Sequence, residues 1–68
     1  MSLAQKLKQL RLQAGLTQEQ LSAHIGVSSR TIKHWEHDTR TPNAVSLLVL
    51  SRSIQVSVDW LLGRTDER

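Results

Sequence analysis

Apolar residues fall along the chain in short helical stripes, each framed by polar capping residues. Leu3, Leu7, Leu10 and Ala14 recur at i, i+4, i+7 and i+11, which is one face of a helix from Leu3 to about Ala14. Ser2 with Gln5 three places on is a start signal for it, Gly15 closes it, and Leu16 folds back onto the leucines. Thr17 with Gln20 repeats the start signal, so a second helix begins at Gln18, with Leu21 and Ile25 one turn apart and the small Ser22 beside them. Gly26 ends that helix, because glycine enters φ > 0 without a steric cost. Val27 follows as an apolar plug, and Ser28 caps a third helix running from about Ser29 to His37. On that helix Ile32, Trp35 and Glu36 share one face, while Arg30, Lys33, His34 and His37 share the opposite one. Thr41-Pro42 reads as N-cap and first helical residue of a fourth helix, roughly Pro42 to Ser53, whose inner face is Leu47, Leu50, Ser51 and Ile54. Val56 and Leu61 staple a short fifth helix around the Ser57 cap. Val58, Trp60 and Leu61 seal the bottom of the core, and Gly63 stops the chain before a polar tail, 64–68, expected to be frayed.

The pattern predicts an all-α fold, a compact five-helix domain over 1–68 with a helix-turn-helix at about 17–37. An ordinary helical hairpin with a charged outer face is the plain alternative. The agreement of Leu21, Ser22, Ile25, Gly26, Val27, Ile32 and Trp35 at fixed spacing favours the helix-turn-helix.

Composition narrows the function classes. Sixty-eight residues allow one domain, and one this small buries only about 60% of its unfolded surface. With no cysteine, neither disulfides nor thiolate metal sites support it, so stability rests on packed helices. No apolar run approaches the ~20 residues of a membrane span, and the N-terminus is too polar for a signal peptide, which implies a cytoplasmic protein without a membrane partner. The net charge of +3 is uneven: residues 1–53 carry +4 and residues 54–68 carry −1. A positive body suits a polyanion, since neutralising phosphates releases counterions.

The stretch Thr17 to His37 resembles the phage repressor and Cro family of DNA-binding domains, often called XRE-like. The likeness extends over nearly the whole chain. LKQLRLQAGLTQEQLS is similar to that family's opening helix running into the motif, and VSVDWLLG, Val56 to Gly63, is similar to its closing segment. Local departures are Ser22, Ser51 and Ser53 where alanine is common, Gln55 where glycine is common, and Asp38 where glycine often follows the third helix.

The resemblance implies a lambda-repressor-like fold whose third helix enters the DNA major groove. It places Ser29, Arg30 and His34 at base-contacting positions with Lys33 close by, and Arg30 alone has the fork for a bidentate contact to guanine. It places Gln18 against a phosphate at the start of the second helix. The run Asp38 to Asn43 then follows the DNA backbone, with Arg40 as its main phosphate contact and Thr39, Thr41 and Asn43 beside it. It also implies an ion pair between Arg11 and Glu36. Lys6 and Lys8 are expected to be solvated.

Trp35 is expected in the core rather than as a stacking platform for single strands. His34 and His37 stand three apart, but nothing completes a tetrahedral set, so no metal or other cofactor is expected. No nucleophile, base and orienting acid are suggestively spaced, and the chain is read as not an enzyme. The reading is a sequence-specific, double-stranded DNA-binding transcriptional regulator, acting as a repressor by occluding a promoter. The alternatives are an antitoxin that also represses its own operon, for which the short tail offers a toxin little to bind, and a protein-interaction module without DNA binding. Val45, Leu48 and Val49, on the outer side of the fourth helix with Arg52 alongside, form a patch expected to join two copies into a homodimer on a palindromic operator.

Overall fold

Every helix of the protein begins in the same way. In the computed structural model, which describes residues 1–68, a side-chain oxygen at each N-cap accepts the backbone N–H three residues on. These caps open α1 (Leu3–Gln13), α2 (Gln18–Ile25), α3 (Ser29–Glu36), α4 (Ala44–Ser53) and α5 (Val58–Leu61). Ser2 accepts from Gln5 at 3.1 Å, Thr17 from Gln20 at 3.1 Å, Ser28 from Thr31 at 3.1 Å, Asn43 from Ser46 at 2.8 Å and Ser57 from Trp60 at 3.0 Å. In the first two, the glutamine returns the bond to the cap's own N–H, closing full capping boxes. Each cap contributes about 1 kcal/mol, which matters for helices of this length.

Between the helices, the amphipathic faces meet in one core. Leu7 and Leu10 of α1, Leu21 of α2, Ile32 and Trp35 of α3, Leu47 and Leu50 of α4, and Val56, Trp60 and Leu61 around α5 are all buried. Ile32, Leu50 and Leu61 are the largest fully buried side chains. Leu3, Leu16, Ile25, Val27, Ile54 and Val58 close its edges. α3 packs on both α1 and α2, and α4 bridges α2 and α5. The result measures 28 × 23 × 20 Å, and no helix is long and apolar enough to cross a membrane.

Four details differ from the reading of the sequence. α4 starts at Ala44, not Pro42: Asn43 is the cap, and Pro42 is buried one residue before it. Ala14 is exposed, because α1 ends at Gln13 and the buried stripe begins instead at Ala4. Lys6 is buried, not solvated; its ammonium donates to the Trp60 carbonyl and lies 4.7 Å from the centre of the Trp60 ring. The stem of a lysine packs against apolar surface while its head finds a carbonyl at a helix end, here one that also accepts the Gly63 N–H at 3.1 Å. The tail 64–68, expected to be frayed, folds back onto α5. Ser57 N–H donates to the Arg68 carbonyl oxygen at 2.8 Å, Arg64 N–H donates to the Asp59 carbonyl at 2.8 Å, and the Arg68 guanidinium sits 4.9 Å from the Trp60 ring centre. The open N–H at the start of α5 and an aromatic face beside it give the returning chain partners.

Asp38 (φ 59°) and Gln55 (φ 56°) occupy the left-handed region. They are two positions at which the resembling family often has glycine, and here a side chain bears a cost of about 1–2 kcal/mol, least for aspartate.

Candidate nucleic-acid interface

α3 is built to face two ways. Ile32 and Trp35 are locked in the core, whereas Arg30, Lys33 and His37 are exposed and Ser29 and His34 are half-buried. The turn before it sets this orientation. Gly26 takes φ 76°, Val27 N–H returns to the Ser22 carbonyl at 3.1 Å, and Val27 packs on the core. Ser22 is buried at this crossing, its hydroxyl donating to the Glu19 carbonyl at 2.7 Å.

The beginnings of α2 and α3 come together. Arg11, Thr17, Gln18, Glu19 and Ser29 line one shallow polar depression. Beneath it lies a charge cluster. Arg11 Nε donates to Glu36 Oε2 at 2.7 Å, Arg11 Nη2 donates to Glu36 Oε1 at 3.0 Å, and Arg11 Nη1 donates to the Leu16 carbonyl at 2.8 Å. The Gln18 amide adds a fourth donor, to Glu36 Oε1 at 3.2 Å. The hydrogen bonds to Glu36, aided by its charge, hold Arg11 above the usual arginine range against the opposing effect of burial. The cluster ties α1, α2 and α3 together directly under the outward face. The sequence pattern does not reveal the Gln18 and Leu16 contacts, since neither follows a helical spacing; a polar residue at the first turn of α2 is the only hint.

After α3 the chain turns back over its C-terminal end. The Thr39 and Arg40 N–H groups both point to the His34 carbonyl, at 3.0 and 3.4 Å. Thr39 Oγ1 lies 2.8 Å from His34 Nδ1 and 3.1 Å from the His34 carbonyl oxygen. Of the loop residues expected along a DNA backbone, Arg40 and Thr41 are exposed with no side-chain hydrogen bond to the protein. Thr39 is engaged by His34, and Asn43 Oδ1 by the α4 cap, which leaves only the Asn43 amide N–H groups for a ligand. No group of three or more histidine, aspartate or glutamate side chains is gathered as metal ligands.

On α4, Val45 is 71% exposed and Leu48 is 45% exposed. Val49 does not point outward as expected. It is half-buried and lines a groove with Ile25, Val27 and Trp35, because α2 crosses α4 on that side.

A family model described as helix-turn-helix matches residues 7–61. The chain belongs to the helix-turn-helix family. This helix-turn-helix domain is 36% identical over 66 residues to the HTH-type transcriptional regulator ImmR of Bacillus subtilis, a match covering 97% of this chain and 52% of ImmR. It thus spans about half the length of that relative. The crystal structure of the P22 c2 repressor in complex with a synthetic operator is similar with a TM-score of 0.88 and 32% identity, covering 91% of this chain and 94% of that one. SinR, crystallised in complex with DNA, is similar with a TM-score of 0.80 and 28% identity, covering 87% of this chain and 95% of that one.

Proposed function

We propose that residues 1–68 form one DNA-binding domain that recognises a particular duplex sequence and regulates transcription, acting in the cytoplasm as a repressor by occupying a promoter. The observation that carries this reading is α3, held in the core by Ile32 and Trp35 and presenting Arg30, Lys33, His34 and His37 outward. An α-helix fits the major groove, and residues toward its N-terminal end reach base edges. Arg30 takes the guanine contact, with Ser29, Lys33 and His34 around it. Gln18 serves a phosphate: its carboxamide keeps an N–H free beyond the bond to Glu36, and the converging starts of α2 and α3 favour an anion there. Arg40 and Thr41 hold the backbone on the far side of α3, joined by the Asn43 amide N–H. The likeness to a repressor bound to its operator supports the same mode of docking.

Two copies joined through Val45 and Leu48, with Val49 at the edge, would present two α3 helices to a palindromic operator, about 34 Å apart. The test of the function is selection of bound duplexes from a random pool. One enriched sequence containing a guanine pair that Arg30→Ala no longer prefers is expected. A pool that remains random after repeated selection would overturn the proposal.

A further inference from the structure

We propose that His34 reads a base carrying an exocyclic amino group, adenine or cytosine, and that Thr39 is the positioning residue that makes it do so. The inference rests on the DNA-binding reading above and adds the polarity of one contact to it.

The Thr39 hydroxyl has a single hydrogen to donate. The His34 carbonyl is one of the last in α3, where carbonyls lack partners from a following turn and gather donors. It already draws the Thr39 and Arg40 N–H groups, and the Thr39 hydroxyl donates to it at 3.1 Å. With that hydrogen committed, Thr39 Oγ1 faces the imidazole as an acceptor, 2.8 Å from Nδ1. Were the hydroxyl turned to Nδ1 instead, the ring proton would be left on Nε2; with the hydroxyl turned to the carbonyl, Nδ1 carries that proton. In a neutral imidazole the other nitrogen is then a bare acceptor. Nε2 lies across the ring from Nδ1 and makes no hydrogen bond to the protein. His34 stands one turn after Arg30 on the same face of α3, so its acceptor is presented beside a guanidinium that can only donate.

The two residues then ask a duplex for opposite things. In the major groove, guanine offers acceptors to Arg30. An acceptor such as His34 Nε2 is satisfied only by the amino groups of adenine or cytosine. Thr39 thus acts through His34 on base choice, and its hydroxyl is not available as a phosphate contact.

The test combines ring-nitrogen chemical shifts with sequence selection. At about pH 8, above the ordinary imidazole range, the His34 ring should be in the Nδ1–H form in the wild type and in Thr39→Ser. In Thr39→Val, which has no acceptor for that proton, the population should move toward the Nε2–H form. His34→Ala identifies the His34 signals. In selection from a random duplex pool, His34→Ala should lose an adenine or cytosine preference of roughly three- to tenfold at one position, as for a single hydrogen bond. Thr39→Val should weaken that same preference, and Thr39→Ser should retain it. A wild-type ring protonated at Nε2, or a lost preference for guanine or thymine, overturns the inference while leaving DNA recognition standing. If no sequence is enriched even by the wild type, the DNA-binding reading and the base assignment fall together, while the ring shifts still report the tautomer.

Discussion

Arg30 and Arg40 carry the same charge and are both exposed, yet the proposed docking gives them different tasks. Arg30 lies on the first turn of a helix whose other face is fixed in the core, so on a docked duplex its fork would meet base edges in one register. Arg40 lies in a loop that turns back over the end of α3, where it would meet a backbone that is alike for all sequences. Arg30→Ala is expected to lose about 1–3 kcal/mol on the preferred site and to relax one base pair. Arg40→Ala is expected to weaken every duplex equally and to lower the salt slope by about one. Equilibrium binding on preferred and scrambled duplexes separates the two; equal losses for Arg30→Ala would remove its base-reading role. Arg11 works beneath this surface. The Glu36 side chain is only 3% exposed, and without Arg11 it keeps a single weak donor, Gln18. Arg11→Ala should therefore cost about 3–5 kcal/mol, close to the whole stability of a domain that has roughly 5 kcal/mol, and a thermal melt should show unfolding near room temperature. An Arg11→Leu, Glu36→Leu double variant should regain much of the loss, since neither charge is then left unpaired. Because the Arg11 pKa is raised on folding, the cation's contribution is fully present below the ordinary arginine value and fades only as pH rises through the raised one.

At the scale of elements, helix starts are legible because one side chain decides each. Ser2, Thr17, Ser28 and Ser57 cap where the pattern of capping residue and following apolar turn places them. The start of α4 is the instructive exception. Thr41-Pro42 and Asn43 both satisfy local rules for a helix start, and the outcome turns on tertiary packing. Pro42 is drawn into the core boundary, and the helix opens one residue after it. Asn43→Ala is accordingly expected to cost about 1 kcal/mol in a denaturant melt, and Thr41→Ala less than about 0.5 kcal/mol. The reverse order would move the start of α4 back to Pro42. The inner face of α4 is legible for a different reason: Leu47 and Leu50 recur at helical spacing in register with Ser51 and Ile54, although Val45, Leu48 and Val49 supply apolar volume on the other side. Val49 shows the limit of that argument. A helical wheel gives its direction relative to Leu47 but not that α2 crosses on that side and covers it.

For the whole molecule, what the sequence leaves hidden is contact between distant residues. The burial of Lys6 against Trp60 joins positions 54 apart, and the fold-back of the tail onto α5 depends on where Trp60 comes to rest. Neither has a periodicity to betray it. Charge distribution and the outward face of α3 are local properties and are legible. Assembly is a property of the surface that remains. Val45 and Leu48 expose apolar area beside the α2–α4 groove, and a second copy is expected to cover it. In sedimentation with duplex present, the wild type should bind as two copies, and a Val45→Lys, Leu48→Lys variant as one with weaker binding. Identical behaviour of the two would leave the patch without a role. Recognition of duplex DNA by sequence through this face can be measured in binding isotherms of the unaltered protein on its selected duplex and on a scrambled one, across a salt series. Affinity should fall linearly on logarithmic axes with salt on both duplexes, and binding to the selected one should be tighter by about a thousandfold or more. Equal affinity for the two duplexes, or binding indifferent to salt, would contradict it.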